Sequence, residues 1–157
     1  MKRIVLLVIA LIILVNLTGC SEKNIKKINV EEKKELQHFL VIFNDFAKKQ
    51  KIGLSVEELK AFRDITPQSV FDETGCQIFK NGKTCESYLL SEGKLYVLGF
   101  GFGGLGIVDI ATSDFDNNGE KEVLYTYSFG SGLHRSKISC FDSVKKCEKE
   151  IGFSVVK

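Results

Sequence analysis

The sequence has little excess charge of either sign and only one proline among its 157 residues. Its 22 basic side chains are nearly balanced by 20 acidic ones. Because phosphate recognition needs a basic surface, this balance argues against nucleic-acid binding. Apolar residues make up 44% of the chain, which is enough to offset the conformational entropy of folding and excludes a disordered chain. The length is typical of one domain, and no internal repeat is present.

A long hydrophobic run is also missing. The run Ile4–Val15 contains twelve residues, which rise about 18 Å as a helix, whereas the hydrocarbon core of a bilayer is about 30 Å thick. It follows Lys2 and Arg3 and precedes Leu17, Thr18 and Gly19. This order is typical of a secretory signal peptide, so we expect residues 1–19 to be an export signal rather than a transmembrane helix.

The segment Leu17-Thr18-Gly19-Cys20 resembles the lipobox of bacterial lipoproteins. The resemblance implies that residues 1–19 are removed and that Cys20 carries a thioether-linked diacylglycerol and a further acyl chain, such as palmitate, on its amine. Two or more chains form a durable membrane anchor. A plain signal peptide that happens to end at a cysteine is the alternative. Without the signal the chain has twenty basic and twenty acidic side chains, and hence no net charge.

The resemblance also predicts a location in the bacterial cell envelope. Ser21 after Cys20 resembles the signal for transfer to the outer membrane, facing the periplasm, in a cell with two membranes. In a cell with one membrane the same residues would leave the protein on the outer leaflet of the plasma membrane. Residues 20–29 are then the lipidated cysteine and a tether, and residues 30–157 form a single α+β domain.

The domain is predicted to begin with amphipathic helices. Over residues 30–51 the apolar side chains recur at helical spacing and include a strongly aromatic face. Ser55 followed by Glu58 is typical of a capping box, which predicts a second short helix from Val56 to about Arg63. We expect the aromatic face to pack on a sheet rather than to fill the groove of a partner.

From Cys76 onward the apolar period changes to two, which predicts strands separated by turns. Asn81-Gly82 favours a tight hairpin turn, and Glu92-Gly93 favours another. The fold class is therefore α+β, with the N-terminal helices packed on a meandering antiparallel sheet. The predicted strands are Cys76–Phe79, Cys85–Leu90, Leu95–Phe100, Gly106–Ser113, Glu122–Phe129, His134–Phe141 and Ile151–Val155.

Cys76, Cys85, Cys140 and Cys147 remain once Cys20 is set aside. In an exported chain four cysteines indicate two disulfides, for which three pairings exist. We expect Cys76–Cys85 and Cys140–Cys147, because each pair flanks a short polar segment that can fold back as a hairpin. A zinc site of four thiolates is the alternative, but the close Cys-x-x-Cys pairs of structural zinc sites are missing.

The segment Gly101–Gly106 matches the Gly-x-Gly-x-x-Gly pattern of dinucleotide-binding folds. That pattern needs a helix directly after the glycines, whereas residues 107–111 have the composition of a strand. We therefore expect no dinucleotide cofactor and interpret the glycines as a turning loop. Phe100 and Phe102 in this loop either pack inward or are exposed to a ligand.

The segment from Asp114 to Glu122 has the donor chemistry of a calcium site. Hard oxygen ligands occupy alternate positions in a short loop that contains Gly119. The expected donors are the side chains of Asp114, Asp116, Asn118 and Glu122 and the backbone carbonyl of Glu120. An acidic hairpin turn without an ion is the alternative, since Asp and Asn favour turns.

This loop resembles the strand-loop-strand calcium loop of FG-GAP and VCBS repeats over about fifteen residues, from Asp109 to Leu124. Members of that family usually have Asp where this chain has Asn118 and Glu122. A propeller contains several copies of the loop, whereas this chain contains one. The resemblance thus implies a calcium ion and does not imply a propeller.

A third segment is Gly130-Ser131-Gly132-Leu133-His134-Arg135-Ser136. Together with the two preceding loops it resembles a recurring pattern in small uncharacterised bacterial lipoproteins, and this resemblance implies no function. His134 with Ser131 or Ser136 would be the candidate pair of a hydrolase, but no Gly-x-Ser-x-Gly elbow is present. His134 and Arg135 are alternatively a site for an anionic partner.

These observations favour a lipid-anchored envelope lipoprotein that acts as a calcium-braced binding or structural module, and they favour binding over catalysis without deciding between them. Its expected partners are the membrane and a protein of the envelope. One alternative is a small inhibitor of an envelope enzyme that binds through residues 100–106. The other is an envelope hydrolase that uses His134 and a nearby serine.

Overall fold

The computed structural model describes residues 33–99, 103–133 and 135–155. The chain forms two compact units, residues 1–38 and residues 39–157. Residues 33–38 of the first unit are described, and they are helical. The predicted signal peptide, Cys20 and the tether lie outside the described residues. Among those that are described, no helix is both long enough and apolar enough to cross a membrane.

Helix α1 covers residues 33–50, and the second unit begins with its residue 39. Phe39 and Phe43 lie on the predicted aromatic face and are fully buried. The helix ends where Lys51 adopts a left-handed conformation (φ 57°) and the Ile52 N–H donates to the Ala47 carbonyl at 2.9 Å. This bond satisfies one of the carbonyls that a helix end leaves free.

Two short helices follow. The predicted capping box at α2 (Val56–Leu59) is confirmed: the Glu58 N–H donates to Ser55 Oγ, and the Ser55 N–H donates to Glu58 Oε2 at 2.7 Å. The helix ends earlier than predicted because the chain enters strand β1 (Phe62–Asp64). Helix α3 (Gln68–Thr74), which the sequence analysis missed, ends at Gly75 in a left-handed conformation.

Over the residues that the structure describes, eight antiparallel strands form two four-stranded sheets, each with its strands in chain order. The first sheet contains β1 to β4 and the second contains β5 to β8. The α+β class is therefore confirmed, but the prediction of one meandering sheet is wrong. The strands after β1 are β2 (Gln77–Asn81), β3 (Ser87–Ser91), β4 (Lys94–Leu98), β5 (Gly106–Ser113), β6 (Glu122–Phe129), β7 (Arg135–Asp142) and β8 (Cys147–Val155).

The first sheet is covered on both faces at its centre, where all five residues of β3 are buried. On one face α1 packs through aromatic rings: Phe39 stacks on Phe79 with centroids 4.0 Å apart, and Phe43 meets Tyr88 edge-on at 5.0 Å. On the other face Ile78 and Leu89 join a core that also contains side chains of the second sheet, such as Tyr125. The layers of this unit are thus helix, sheet and sheet.

The chain leaves the first sheet at glycine-rich backbone. Gly99 and Gly106 both have positive φ, 68° and 67°. A Cβ atom on Gly99 would overlap the Tyr127 ring, and one on Gly106 would overlap the Cys85 carbonyl. These two glycines therefore allow the close approach through which the strands divide between two sheets. The glycine run acts here as a sheet-to-sheet connection.

The predicted disulfides are not present, because Cys76, Cys85, Cys140 and Cys147 are all free. In the β2–β3 hairpin Gln77 pairs with Leu90. This register puts Cys76 at the open end and Cys85 at the turn, roughly 15–20 Å apart along the strands.

The second predicted disulfide fails because of its register across β7 and β8. Cys140 pairs with Lys149, and Asp142 pairs with Cys147. The two cysteines are therefore diagonal neighbours on one face, a relation that separates side chains by about 7–8 Å. A disulfide needs Cβ atoms about 4 Å apart. Closeness in the sequence therefore predicted both disulfides wrongly.

The two predicted hairpin turns have different outcomes. Glu92-Gly93 is a two-residue turn, with Ser91 paired to Lys94. The hairpin turn predicted at Asn81-Gly82 is also present but is longer: Asn81 is the buried last residue of β2, and the turn follows it. Its side chain accepts from the Lys83 N–H at 2.9 Å and donates to the Glu58 carbonyl at 2.9 Å. Asn81 therefore links the turn to α2.

Candidate functional site

The acidic loop connects β5 to β6 and brings three carboxylates together. Oxygen atoms of Asp114, Asp116 and Glu122 all lie within 4.8 Å of one another. Asp114 directly follows β5, and Glu122 is the first residue of β6. Their approach follows from the hairpin, because the ends of two paired strands meet at the turn. Three of the five predicted ligand residues thus converge.

Backbone N–H groups hold two of these carboxylates in place. Asp114 accepts from the Asn118 N–H at 2.9 Å and from the Gly119 N–H at 3.0 Å. Glu122, only 3% exposed, accepts from the Phe115 N–H at 2.7 Å. The loop can curl in this way because Asn117 and Gly119 have positive φ, 56° and 90°. These N–H donors offset part of the repulsion between the carboxylates.

The other two predicted ligands have different surroundings. The side-chain oxygen of Asn118 accepts from the Glu120 N–H at 2.7 Å, which closes a local turn. The Glu120 side chain is exposed and is not one of the three converging carboxylates. Its expected contribution was a backbone carbonyl, and that role stays a prediction.

The carboxylate of Asp116 is held by an ammonium group, that of Lys145, which the sequence analysis missed. Lys145, in the turn between β7 and β8, donates to Asp116 at 2.9 Å and lies 3.0 Å from Asp142. The two carboxylates raise the pKa of Lys145 above its usual value, and the hydrogen bond to Asp116 makes the largest contribution. Lys145 therefore links the acidic loop to the next hairpin.

Asp142 is the most deeply buried charge in this region, with a side chain only 1% exposed. Burial acts to raise the pKa of its carboxyl. The Lys145 N–H at 2.7 Å and the ammonium groups of Lys145 and Lys149 outweigh burial, so the pKa lies well below its usual value. Asp142 thus stays ionised at neutral pH.

Glu122 and Asp142 lie at the same end of the second sheet, because their neighbours Val123 and Phe141 pair across β6 and β7. Within the described part of the chain, the four carboxylates of this cluster form ion pairs with two ammonium groups, those of Lys145 and Lys149. The cluster therefore carries about two surplus negative charges. Carboxylate oxygens of this number and charge fit a hard divalent cation such as Ca²⁺ better than a soft metal.

The other predicted site residues are partly outside the described residues and otherwise exposed. Phe100, Phe102 and His134 lie outside the described residues. Ser131 is exposed in the turn between β6 and β7, and Arg135 is the exposed first residue of β7. Within the described part of the chain no observation favours the inhibitor or the hydrolase alternative.

The two glycine-rich segments lie together. Gly103 and Gly130 form a parallel bridge, and a Cβ on Gly104 would overlap the backbone of Phe129. The glycines at 103 and 104 therefore allow two backbone segments to touch. This packing explains the glycines without a ligand.

Known proteins do not add to this assignment: no protein-family model, no curated protein and no solved structure matches the chain.

Proposed function

We propose that this chain is a bacterial envelope lipoprotein, anchored through lipid on Cys20, whose domain is a binding or structural module braced by Ca²⁺ at the β5–β6 loop. The observation that carries the proposal is the convergence of three carboxylates, one of them on a buried glutamate. Asp114, Asp116 and Glu122 would hold the ion. The ion would supply positive charge that ties the end of β5 to the start of β6.

The geometry supports a structural role for the cation rather than a catalytic one. The converging side chains belong to a loop that ends one strand and to the first residue of the next, so a cation there would oppose separation of β5 and β6. The Lys145 ammonium group forms an ion pair with the Asp116 carboxylate at 2.9 Å. A bound cation would therefore compete with this ammonium group for the Asp116 carboxylate.

Thermal unfolding of the full chain in detergent, with calcium or with a chelator, tests the cation. Calcium at 100 times its dissociation constant should add about 2.7 kcal/mol to the free energy of unfolding, which raises Tm by several degrees. Asp114→Asn should abolish the increase, because it removes a charged ligand and keeps an acceptor oxygen for the loop. The matched control is Asp45→Asn, which removes an exposed carboxylate on α1 and should leave the increase unchanged.

An equal increase in Asp114→Asn and in the unaltered chain would contradict the assignment of the ion to this loop. No increase at millimolar calcium would show that the cluster is an ion-free hairpin clamp, held by Lys145 and by backbone N–H groups.

Fractionation of cells that produce the chain tests the anchor. Cys20→Ser should move the protein out of the washed membrane fraction, because no acyl chains can then be attached. Cys147→Ser changes a half-buried cysteine of β8 and should leave the protein in that fraction. Retention of the Cys20→Ser variant in washed membranes would contradict the lipid anchor.

A further inference from the structure

Strand β4 is an edge of the first sheet. It pairs with β3 on one side, and on its other side no strand of the described residues is paired with it. Glu92 and Gly93 both have positive φ, 50° and 72°, so they form a two-residue turn of type I′. In such a hairpin the residues next to the turn, Ser91 and Lys94, form a hydrogen-bonded pair.

This turn decides which backbone groups of β4 are free. Hydrogen-bonded pairs alternate along an antiparallel ladder, so Tyr96 and Leu98 also direct their N–H and C=O groups toward β3. Leu95 and Val97 direct theirs outward. The outer edge of β4 therefore offers two sets of donors and acceptors at the spacing that a further antiparallel strand requires.

Proteins usually protect such an edge with a charged side chain, especially Lys, with a proline or a bulge, or with a covering segment. Strand β4 contains no proline, and its register with β3 has no shift. Val97 is 50% exposed. Lys94 is the only charged residue of the strand. Among the described residues Lys94 therefore protects only the end of the edge next to the turn, and Leu95 to Leu98 have none of these devices.

Two adjoining cavities of about 470 and 510 Å³ flank this edge and share Phe46, Leu95 and Tyr96. The first is walled by α1, and the second extends to Phe141 and Glu148 of the second sheet. Successive side chains of a strand point to opposite faces. Both cavities include Phe46 of α1, so they are placed to receive side chains from every second position of an added strand, on the face that points toward α1.

The charges at the first cavity indicate what kind of segment would fit. Lys49 and Lys94 both line it, and within the described residues neither forms an ion pair. Asp45, the acidic side chain there, lies 4.0 Å from Lys48. The unpaired charge at this end of the groove is therefore positive and complementary to a carboxylate.

We propose that the outer edge of β4 binds an extended peptide segment of a partner protein as an additional antiparallel strand. Apolar side chains of the segment enter the two cavities, and an acidic side chain lies beside Lys49 and Lys94. Backbone hydrogen bonds supply affinity in this mode of recognition, and the pockets supply specificity. The inference goes beyond the proposed function, since it requires neither the lipid on Cys20 nor the ion at the acidic loop.

The test selects random twelve-residue peptides displayed on phage against the immobilised full chain in detergent. Selected peptides should alternate apolar residues and contain a carboxylate, and their affinities are then measured by fluorescence anisotropy. Val97→Pro removes one outward N–H, a change that edge strands tolerate. It should weaken binding roughly tenfold, because the peptide carbonyl then lacks its donor. Val97→Thr keeps the N–H and is the matched control.

A second measurement keeps the test decisive if Val97→Pro does not fold. N-methylation of the peptide amide that faces β4 should abolish binding, whereas methylation of the neighbouring amide, which faces away, should not. Lys94→Gln should weaken binding and reduce its dependence on salt. Binding should be unchanged by chelator and in Cys20→Ser, which separates this inference from the proposed function.

Three outcomes would overturn the inference. The first is no enrichment of any peptide over uncoated support. The second is equal loss of binding from methylation at either amide. The third is a concentration-dependent dimer in sedimentation that Val97→Pro abolishes, since the edge would then pair with a second copy of this chain.

Discussion

The aromatic layer between α1 and the first sheet and the ionic cluster at the loop end of the second sheet are held together by different interactions. The layer consists of stacked and edge-on rings, with Phe39, Phe43 and Phe62 fully buried. The cluster consists of carboxylates held by N–H groups and by the ammonium group of Lys145. Burial of rings depends little on pH or salt, whereas an ionic cluster depends on both.

The two regions differ in how easily their contacts can change. The rings are close-packed, so any change of volume there is destabilising. The charges of the cluster can exchange partners at small cost, because Lys145 is about half exposed and water can take its place. We therefore expect the aromatic layer to carry stability and the cluster to respond to ions.

The largest expected effect is in the aromatic layer. Phe43→Ala removes a fully buried ring that contacts Phe62 and Tyr88. It should lower the free energy of unfolding by about 3–5 kcal/mol. The control on the same helix is Val41→Ala, at a side chain 65% exposed, which should change it by less than about 0.5 kcal/mol. Urea denaturation measures both, and similar losses would contradict the buried position of Phe43.

An intermediate effect is expected at Asp142. Asp142→Asn should cost about 1–3 kcal/mol at neutral pH, since it removes a buried charge that accepts hydrogen bonds from backbone N–H groups and from two lysines. Because the pKa of Asp142 is lowered in the folded state, its stabilisation is complete above the unfolded-state pKa of about 3.9. It is then lost as the pH falls further, toward the lowered folded-state pKa.

The measurement for Asp142 is Tm between neutral and acidic pH. The unaltered chain should lose stability more steeply below about pH 4 than Asp142→Asn does. Asp45→Asn, at an exposed carboxylate, should keep the steep loss. Parallel pH curves for the unaltered chain and Asp142→Asn would show that the cluster adds nothing through this carboxylate.

The smallest expected effect compares two lysines. Without calcium, Lys145→Gln should lower Tm more than Lys48→Gln does, since Lys145 pairs with the buried carboxylate of Asp142, whereas Lys48 and Asp45 are both exposed. In calcium titrations Lys145→Gln should bind Ca²⁺ more tightly than the unaltered chain does, because the ammonium group that competes for Asp116 is gone. Lys48→Gln should leave the affinity unchanged. Calcium titrations followed by Tm measure this, and unchanged affinity in Lys145→Gln would contradict competition at Asp116.

Local features were predicted well because local interactions decide them. The bounds of β5 and β6, Gly106–Ser113 and Glu122–Phe129, agree with the predictions, since alternation and flanking turn residues lie within each segment. The Ser55–Glu58 capping box needs only residues three positions apart. Strand β1 and helix α3 were missed because they are short and depend on their neighbours for stability.

Features that depend on register were predicted poorly. The cysteine pairs were expected from their closeness in sequence, but the register of each hairpin separates them. Lys145 and Asp116 are 29 residues apart, and no pattern in the sequence connects them. The role of the glycine run as a sheet-to-sheet connection also required knowledge of what Gly99 and Gly106 touch.

The sequence by itself determined the helix-then-strand order, the aromatic face of α1 and the acidic spacing of the β5–β6 loop. Periodicity, capping and turn chemistry act over a few residues, so they are visible in one dimension. The tertiary structure alone decided the division into two sheets, the contact of Lys145 with the acidic loop and the open edge of β4. These depend on which distant segments pack together, and that choice follows from the total burial of the whole chain rather than from any one segment.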